Sequence, residues 1–203
     1  MNEEHKNILG GAALLTLIGI GLKRFSRSRL FSSGREGFTI VTAKDVDFPV
    51  IYKLFKEIIL KGRNPQGPEK AHIEEGIRLS ISSGDCGIML DRFNRKMGFV
   101  CGEMGSLTIV EMSYARCTPT NAFQNYQGKV GFKGFGLGVI PKYRGLGLGL
   151  DLMGWLRDRA VFHNADYVWL GANADLNNKA MWATRTDIVG DGPHVTFFAH
   201  LIK

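Results

Sequence analysis

Arg144-Gly145-Leu146-Gly147-Leu148-Gly149 is the stretch of this 203-residue chain whose residue types and spacing could do chemistry. Glycines at alternate positions let the backbone turn while its N–H groups stay open to a ligand. The apolar spacing over 148–162 predicts a helix behind them. The first N–H groups of such a helix lack an acceptor and carry the positive end of its dipole. An arginine in front adds a fixed charge with two-pronged reach. Together they make a cradle for a phosphate or pyrophosphate. The spelling excludes two familiar loops. The nucleoside-triphosphate loop ends in Lys-Ser or Lys-Thr, and no lysine here is followed by either. The dinucleotide loop runs G-x-G-x-x-G at a chain's first strand–helix turn. This one runs G-x-G-x-G, much later.

The cradle needs a strand to present it, and the apolar, glycine-rich run 132–139, ended by Pro141, reads as that strand. Upstream, 38–41 alternates as a first strand. Asp47 is placed to cap a helix with Pro49 in its first turn, and Ile51, Leu54, Phe55, Ile58 and Ile59 give that helix one apolar face. Gly62 and Asn64-Pro65 break it. Residues 68–82 predict a second helix with Ile73, Ile77 and Leu79 inward. Strands at 86–93 and 97–104 flank the basic turn Asn94-Arg95-Lys96. Residues 107–114 read as a further strand and 118–128 as a polar loop. Downstream come a strand at 167–172, a short helix at 177–184 and a closing strand at 194–202 behind the turn Gly190-Asp191-Gly192-Pro193.

The cradle in full, Val139-Ile140-Pro141-Lys142-Tyr143-Arg144-Gly145-Leu146-Gly147-Leu148-Gly149, carries the pattern Q/R-x-x-G-x-G/A behind apolar-x-Pro-x-Tyr-Arg. It closely resembles motif A of the GCN5-related N-acetyltransferase (GNAT) superfamily, and the element order over 38–203 resembles that family's fold. The resemblance implies an α/β (α+β) acyl-CoA N-acyltransferase fold. Its sheet is mixed and mostly antiparallel, with helices on both faces, and its fourth and fifth strands splay to admit pantetheine. Acetyl-CoA is then the co-substrate. Arg144, Gly145, Leu146, Gly147, Leu148 and Gly149 would hold its pyrophosphate, and the backbone of Leu137, Gly138 and Val139 its pantetheine. Gly134, Gly136, Gly138 and Gly171 would allow close approach.

Asn177-Asn178-Lys179-Ala180 matches the first half of a second family motif, which implies that Asn177 or Asn178 contacts the cofactor and Ala180 packs against it. The implied reaction is direct attack of a primary amine on the thioester. A small amine or amino acid is the first acceptor to consider, a protein N-terminus or lysine the second. The chain also departs from the family. Thr184 stands where a tyrosine usually protonates the leaving thiolate, and Phe135 and Gly136 stand where many members have a carboxylate. By residue type, Glu103, Glu111, Asp175, His163 and His194 could each serve as base, and the catalytic residues stay open. These departures motivate a rival class, a non-catalytic CoA-binding sensor or membrane-anchored scaffold. A soluble regulator that binds ATP or NAD is a third reading.

At 44% hydrophobic and 22% charged residues, the chain suits one globular domain, 36–203, behind an extension, 1–35. Cys86, Cys101 and Cys117 are odd in number and lack C-x-x-C spacing, which argues against a disulfide framework and against a metal site. Much of the +7 net charge sits on Lys23, Arg24, Arg27, Arg29 and Arg35. An anionic co-substrate and a membrane-proximal basic segment account for it without nucleic acid. Residues 8–22, ILGGAALLTLIGIGL, would span roughly 22 Å as a helix against ~30 Å of hydrocarbon, and the stems of Lys6 and Lys23 could extend the reach. Acids precede this run and bases follow it, so an anchor would leave the domain facing the cytoplasm, the mitochondrial outer membrane included. A leader or targeting peptide on an otherwise soluble cytoplasmic or organellar chain is the alternative.

Overall fold

The computed structural model describes residues 37–173 and 185–202. In chain order these form β1 (Phe38–Thr42), α1 (Phe48–Ile58), α2 (Gly67–Ser82), β2 (Cys86–Asp91), β3 (Lys96–Met104), α3 (Ile109–Tyr114), β4 (Thr118–Pro119), β5 (Gly131–Val139), α4 (Leu148–Phe162), β6 (Tyr167–Asn173), β7 (Asp187–Asp191) and β8 (Val195–Leu201). All eight strands join one sheet in the order β1-β2-β3-β5-β6-β8-β7-β4. Every pairing is antiparallel except that of β5 with β6. The mixed sheet with helices on both faces is therefore the architecture the sequence implied.

Period-2 alternation sends successive residues to opposite faces, and each face has its own core. On one face α4 buries Leu148, Leu152, Met153, Leu156 and Ala160 against Phe132, Val168, Leu170 and Phe198. On the other, α1 and α2 cover β1, β2, β3 and part of β5 through Ile51, Leu54, Phe55, Ile58, Ile73, Ile77 and Ile81. The rest of that second face, over β6, β8 and β7, is covered by the segment between β3 and β5, which buries Leu107, Met112, Cys117, Phe123 and Tyr126. Each of these larger side chains contributes about 1.5–3 kcal/mol by leaving water.

Hydrogen bonds pin that covering segment to the sheet. Trp169 Nε1 donates to the Gly105 carbonyl at 2.7 Å, and the Tyr167 hydroxyl accepts from the Leu107 N–H at 2.8 Å. The Tyr126 hydroxyl donates to the Asp187 carboxylate. Burial first, then that bond to Asp187, pushes the Tyr126 hydroxyl well above the usual tyrosine range, so it stays a donor.

Several expectations change. Asp47 does not cap α1 with its side chain. Its carboxylate instead accepts from the Lys44 N–H at 3.0 Å and closes the 3-10 turn Asp45–Asp47. Leu79 is exposed, because the buried stripe of α2 runs through Ile73, Gly76, Ile77, Ser80 and Ile81. The strand expected over 107–114 is the helix α3. There the Thr108 hydroxyl accepts from the Glu111 N–H and Glu111 reaches back to the Thr108 N–H, a reciprocal cap that outweighs the alternating apolar residues. Gly190 and Asp191 belong to β7, which pairs with β8, so the reversal lies at 192–194. The helix expected over 177–184, and the segment 8–22, lie outside the described residues.

Candidate functional site

β5 carries the site, and one irregularity organises it. Gly131 to Gly134 pair with Tyr167 to Leu170 of β6, and the ladder stops at the Gly134–Leu170 pair. Against β3 on its other side, Gly134 pairs with Gly102 and Gly136 with Cys101, so Phe135 is left out as a bulge. A bulge turns the strand and sharpens its twist. From there β5 stays with β3 while β6 stays with β8, and the sheet forks with Gly134 and Leu170 at its apex.

The fork leaves backbone groups free to bind. The Ile140 N–H donates to the Met97 carbonyl on β3 at 2.9 Å. By strand alternation Gly138 and Gly136 also turn their backbone groups to β3, while Val139 and Leu137 turn theirs into the fork. Of the three β5 residues singled out in the sequence, Leu137 thus lines the fork with N–H and C=O and Val139 with its N–H, its carbonyl being taken by Arg144 Nε, while Gly138 does not. Gly138 is glycine for another reason: a Cβ there would meet Ile58 Cγ2 at 2.2 Å. The same holds for Gly136 against Phe55, at 2.8 Å, and Gly134 against Leu156, at 3.0 Å. These glycines let α1 and α4 lie close on the sheet.

The cradle follows at the wide end of the fork. After the 3-10 turn Pro141–Tyr143, Gly145 and Gly147 take φ of +79° and +76°, the left-handed conformation that side chains disfavour. Gly147 is the N-cap of α4, and Leu148, 1% exposed, anchors the helix start in the core. Leu146 is exposed on the loop. Arg144 Nε donates to the Val139 carbonyl at 3.1 Å. Lys142 adds a second cation, its Nζ over the Tyr143 ring at 4.7 Å. Gly149 has no positive φ, and a Cβ there would meet nothing within 4 Å. The protein itself does not require a glycine at 149, whereas a ligand lying against the helix end would. Free N–H groups, two cations and open ground above Gly149 fit an extended anion such as the pyrophosphate of CoA.

On the face away from α4, at the apex, lies a polar row the sequence did not reveal. Glu103 of β3, Lys133 of β5 and Trp169 of β6 are direct cross-strand neighbours. Lys133 Nζ stands 3.2 Å from Glu103, 3.5 Å from Glu111 on α3, and over the Trp169 ring at 5.5 Å. Beside them Phe135 packs against Phe55 and takes the edge of the exposed His72 ring at 6.0 Å. His72 escapes sequence reasoning because only the α2–β5 contact brings it here.

Other proposed bases are elsewhere. His163 ends α4, far from the cradle, with Nε2 2.8 Å from the buried Asp85, which also accepts from Arg159 Nε at 2.8 Å. His194 is exposed in the β7–β8 turn. Asp175, Asn177 and Thr184 lie outside the described residues. Among the described residues no group of His, Cys, Asp and Glu could hold a metal ion, and no helix is long and apolar enough to cross a membrane.

Solved structures share this architecture. A mosquito arylalkylamine N-acetyltransferase-like protein gives a TM-score of 0.58 at 12% identity, over 81% of this chain and 100% of that one. The polyamine N-acetyltransferase of Drosophila melanogaster, an enzyme that catalyses the formation of N-acetylagmatine, gives 0.51 at 15% identity over 81% and 100%. A chain of the NatC complex bound to Gag peptide and CoA gives 0.55 at 13% identity over 82% and 99%. At the level of sequence, no family model and no curated protein matches. The chain has the fold of the GNAT acetyltransferases.

Proposed function

We propose that this chain transfers the acetyl group of acetyl-CoA to a primary amine by direct attack. The observation that carries this reading is the meeting of two features on β5. A phosphate cradle stands at the wide end of a fork in the sheet, and on the face away from α4 the partly exposed Glu103 and Lys133 lie next to the apex of that fork. Arg144, Gly145, Leu146, Gly147, Leu148 and Gly149 would bind the pyrophosphate, with Leu137 and Val139 on the pantetheine. Asn177 is a further cofactor contact by its sequence motif. A small amine is the preferred acceptor, in keeping with the arylalkylamine and polyamine enzymes of the same fold. A protein N-terminus or lysine comes second, and one structure of the same fold, the NatC complex, holds a peptide together with CoA.

The test is turnover. Full-length chain, acetyl-CoA and a panel of amines are mixed and free thiol is followed. Thiol release above hydrolysis with at least one amine is expected. Tight CoA binding with no release on any amine would instead favour a sensor, a reading that the apolar Phe135 at the bulge supports. ATP or NAD displacing CoA would overturn both.

For 1–35 we infer an extension outside the catalytic domain, with 8–22 and its basic flank as a tether that leaves the domain facing the cytoplasm. Fractionation of full-length and Δ1–35 protein checks this. Full-length, uncleaved chain found wholly in the soluble fraction would remove the tether.

A further inference from the structure

The face of the fork away from α4 carries two carboxylates around Lys133, and they are not equivalent. Glu111 is committed. Its Oε2 accepts from the Thr108 N–H at 3.1 Å in the cap of α3, and its Oε1 faces Lys133 at 3.5 Å. Glu103 offers only Oε1 to Lys133, at 3.2 Å, and among the described residues its Oε2 takes no hydrogen bond. Lys133 therefore holds one edge of Glu103 and leaves the other edge without a partner among the described residues. The side chains of Lys133, Glu103 and Glu111 are 28%, 33% and 34% exposed, wet enough to pass a proton on to water.

Position matters as much as chemistry. Glu103, Lys133 and Trp169 form the cross-strand row just before the Gly134–Leu170 apex. An arm held by the cradle and running down the fork travels roughly 17 Å of strand from Val139 to Gly134, and its reactive end arrives at that apex. An amine that attacks there must come from the face away from α4, which is the face Glu103 occupies.

We propose that Glu103 accepts the proton of the acceptor amine and that Lys133 is the positioning residue that holds its carboxylate. This rests on the acetyl-transfer reading above. The acceptor's ammonium gives one proton to Glu103 Oε2, directly or through one water, and Glu103 releases it to solvent. The freed lone pair forms the C–N bond to the thioester carbonyl, the C–S bond breaks, and the second ammonium proton leaves with the CoA thiolate as thiol. Trp169 Nε1 is spent on the Gly105 carbonyl, so the indole contributes only its ring face, toward Lys133. Glu111 and Lys133 are the charged groups of α3 and β5 beside Glu103, and His72 on α2 touches Phe135, the bulge residue next to this row.

The experiment uses full-length chain, acetyl-CoA and an amine that the wild type accepts, with free thiol followed from about pH 6 to about pH 10. Glu103→Gln should lower kcat about 100-fold or more with acetyl-CoA affinity unchanged. Its residual rate should climb with pH as the amine loses its proton in solution. Glu103→Asp should recover part of the rate. Lys133→Met should shift the acid limb of kcat/KM, and Lys133→Arg should restore it. Wild-type kcat and pH profile in Glu103→Gln would overturn the proposal. So would a loss that Glu103→Asp shares in full together with lost acetyl-CoA binding, which marks a structural role. Wild-type chain that binds acetyl-CoA but releases no thiol with any amine fails the acetyl-transfer reading itself, and this inference with it.

Discussion

Arg144 is tied by its Nε to the carbonyl of Val139, the last residue of the strand that delivers the cradle. One donor of the guanidinium thus fixes the side chain, and the two terminal nitrogens stay available for an anion. Arg144→Ala should raise the Kd for acetyl-CoA about 30-fold, for about 2 kcal/mol of charge-assisted hydrogen bonding. Arg144→Lys should recover little, since an ammonium cannot hold the Val139 carbonyl and grip a phosphate in the same geometry. Isothermal titration measures both, and unchanged affinity in Arg144→Ala would remove the cradle assignment.

Gly138 and Gly149 should respond oppositely to alanine. At Gly138 the new methyl meets Ile58 Cγ2 at 2.2 Å, so β5 and α1 must separate. We expect a loss of about 1–3 kcal/mol in urea unfolding. At Gly149 the methyl meets nothing, and alanine suits a helix better than glycine. Stability should hold or rise while acetyl-CoA affinity falls. Loss of stability at both positions would mean that Gly149 is a packing glycine too.

Asp91 predicts an acid-sensitive turn. Its buried carboxylate accepts from the N–H groups of Phe93 and Arg95, at 2.9 Å each, and from Arg95 Nε at 2.6 Å. Burial alone would raise its pKa. The Arg95 and Phe93 N–H bonds and the Arg95 guanidinium outweigh burial and hold the carboxyl below the usual range. The folded value lies below the unfolded one, so the stabilisation is complete above the unfolded pKa of about 3.9 and fades as pH falls through the folded value. The stability difference between wild type and Asp91→Asn should be level above about pH 5 and shrink below about pH 4 in urea titrations. A difference that does not vary with pH would place the effect of Asp91 elsewhere.

The three thiols should be silent in the folded chain. Cys86 and Cys101 are cross-strand partners with sulfurs 3.0 Å apart and no exposure. The hydrogen bond to Cys101, then burial, pushes the Cys86 thiol far up, and burial, then Asp191, raises that of Cys117. Alkylation needs a thiolate that reagent can reach. Intact mass should show no adduct on native protein and full labelling after denaturation. A fast-labelling native thiol would contradict the packing of β2 on β3.

What the sequence disclosed and what it withheld follow from the range of the interactions. The glycine loop and the helix start behind it were legible because Gly145 and Gly147 act through local backbone geometry. The faces of α1 and α4 were legible through their helical spacing. The cap of α3 was also spelled out, by Thr108 and Glu111, yet Val110, Met112 and Tyr114 alternate as in a strand at the same place. The row Glu103–Lys133–Trp169 could not be read, because it exists only once three strands take their register. The packing role of Gly136 and Gly138 depends on where Phe55 and Ile58 land, and no local pattern encodes that.

The segment between β3 and β5 also bears on self-association. Its strand β4, only Thr118–Pro119, caps the outer side of β7. A terminal strand so short, with a proline that has no N–H to offer, is a poor template for another chain to zip onto. That border of the sheet is blunted by the chain's own insertion. Any strand-to-strand joining of two copies would fall to β1 at the opposite border.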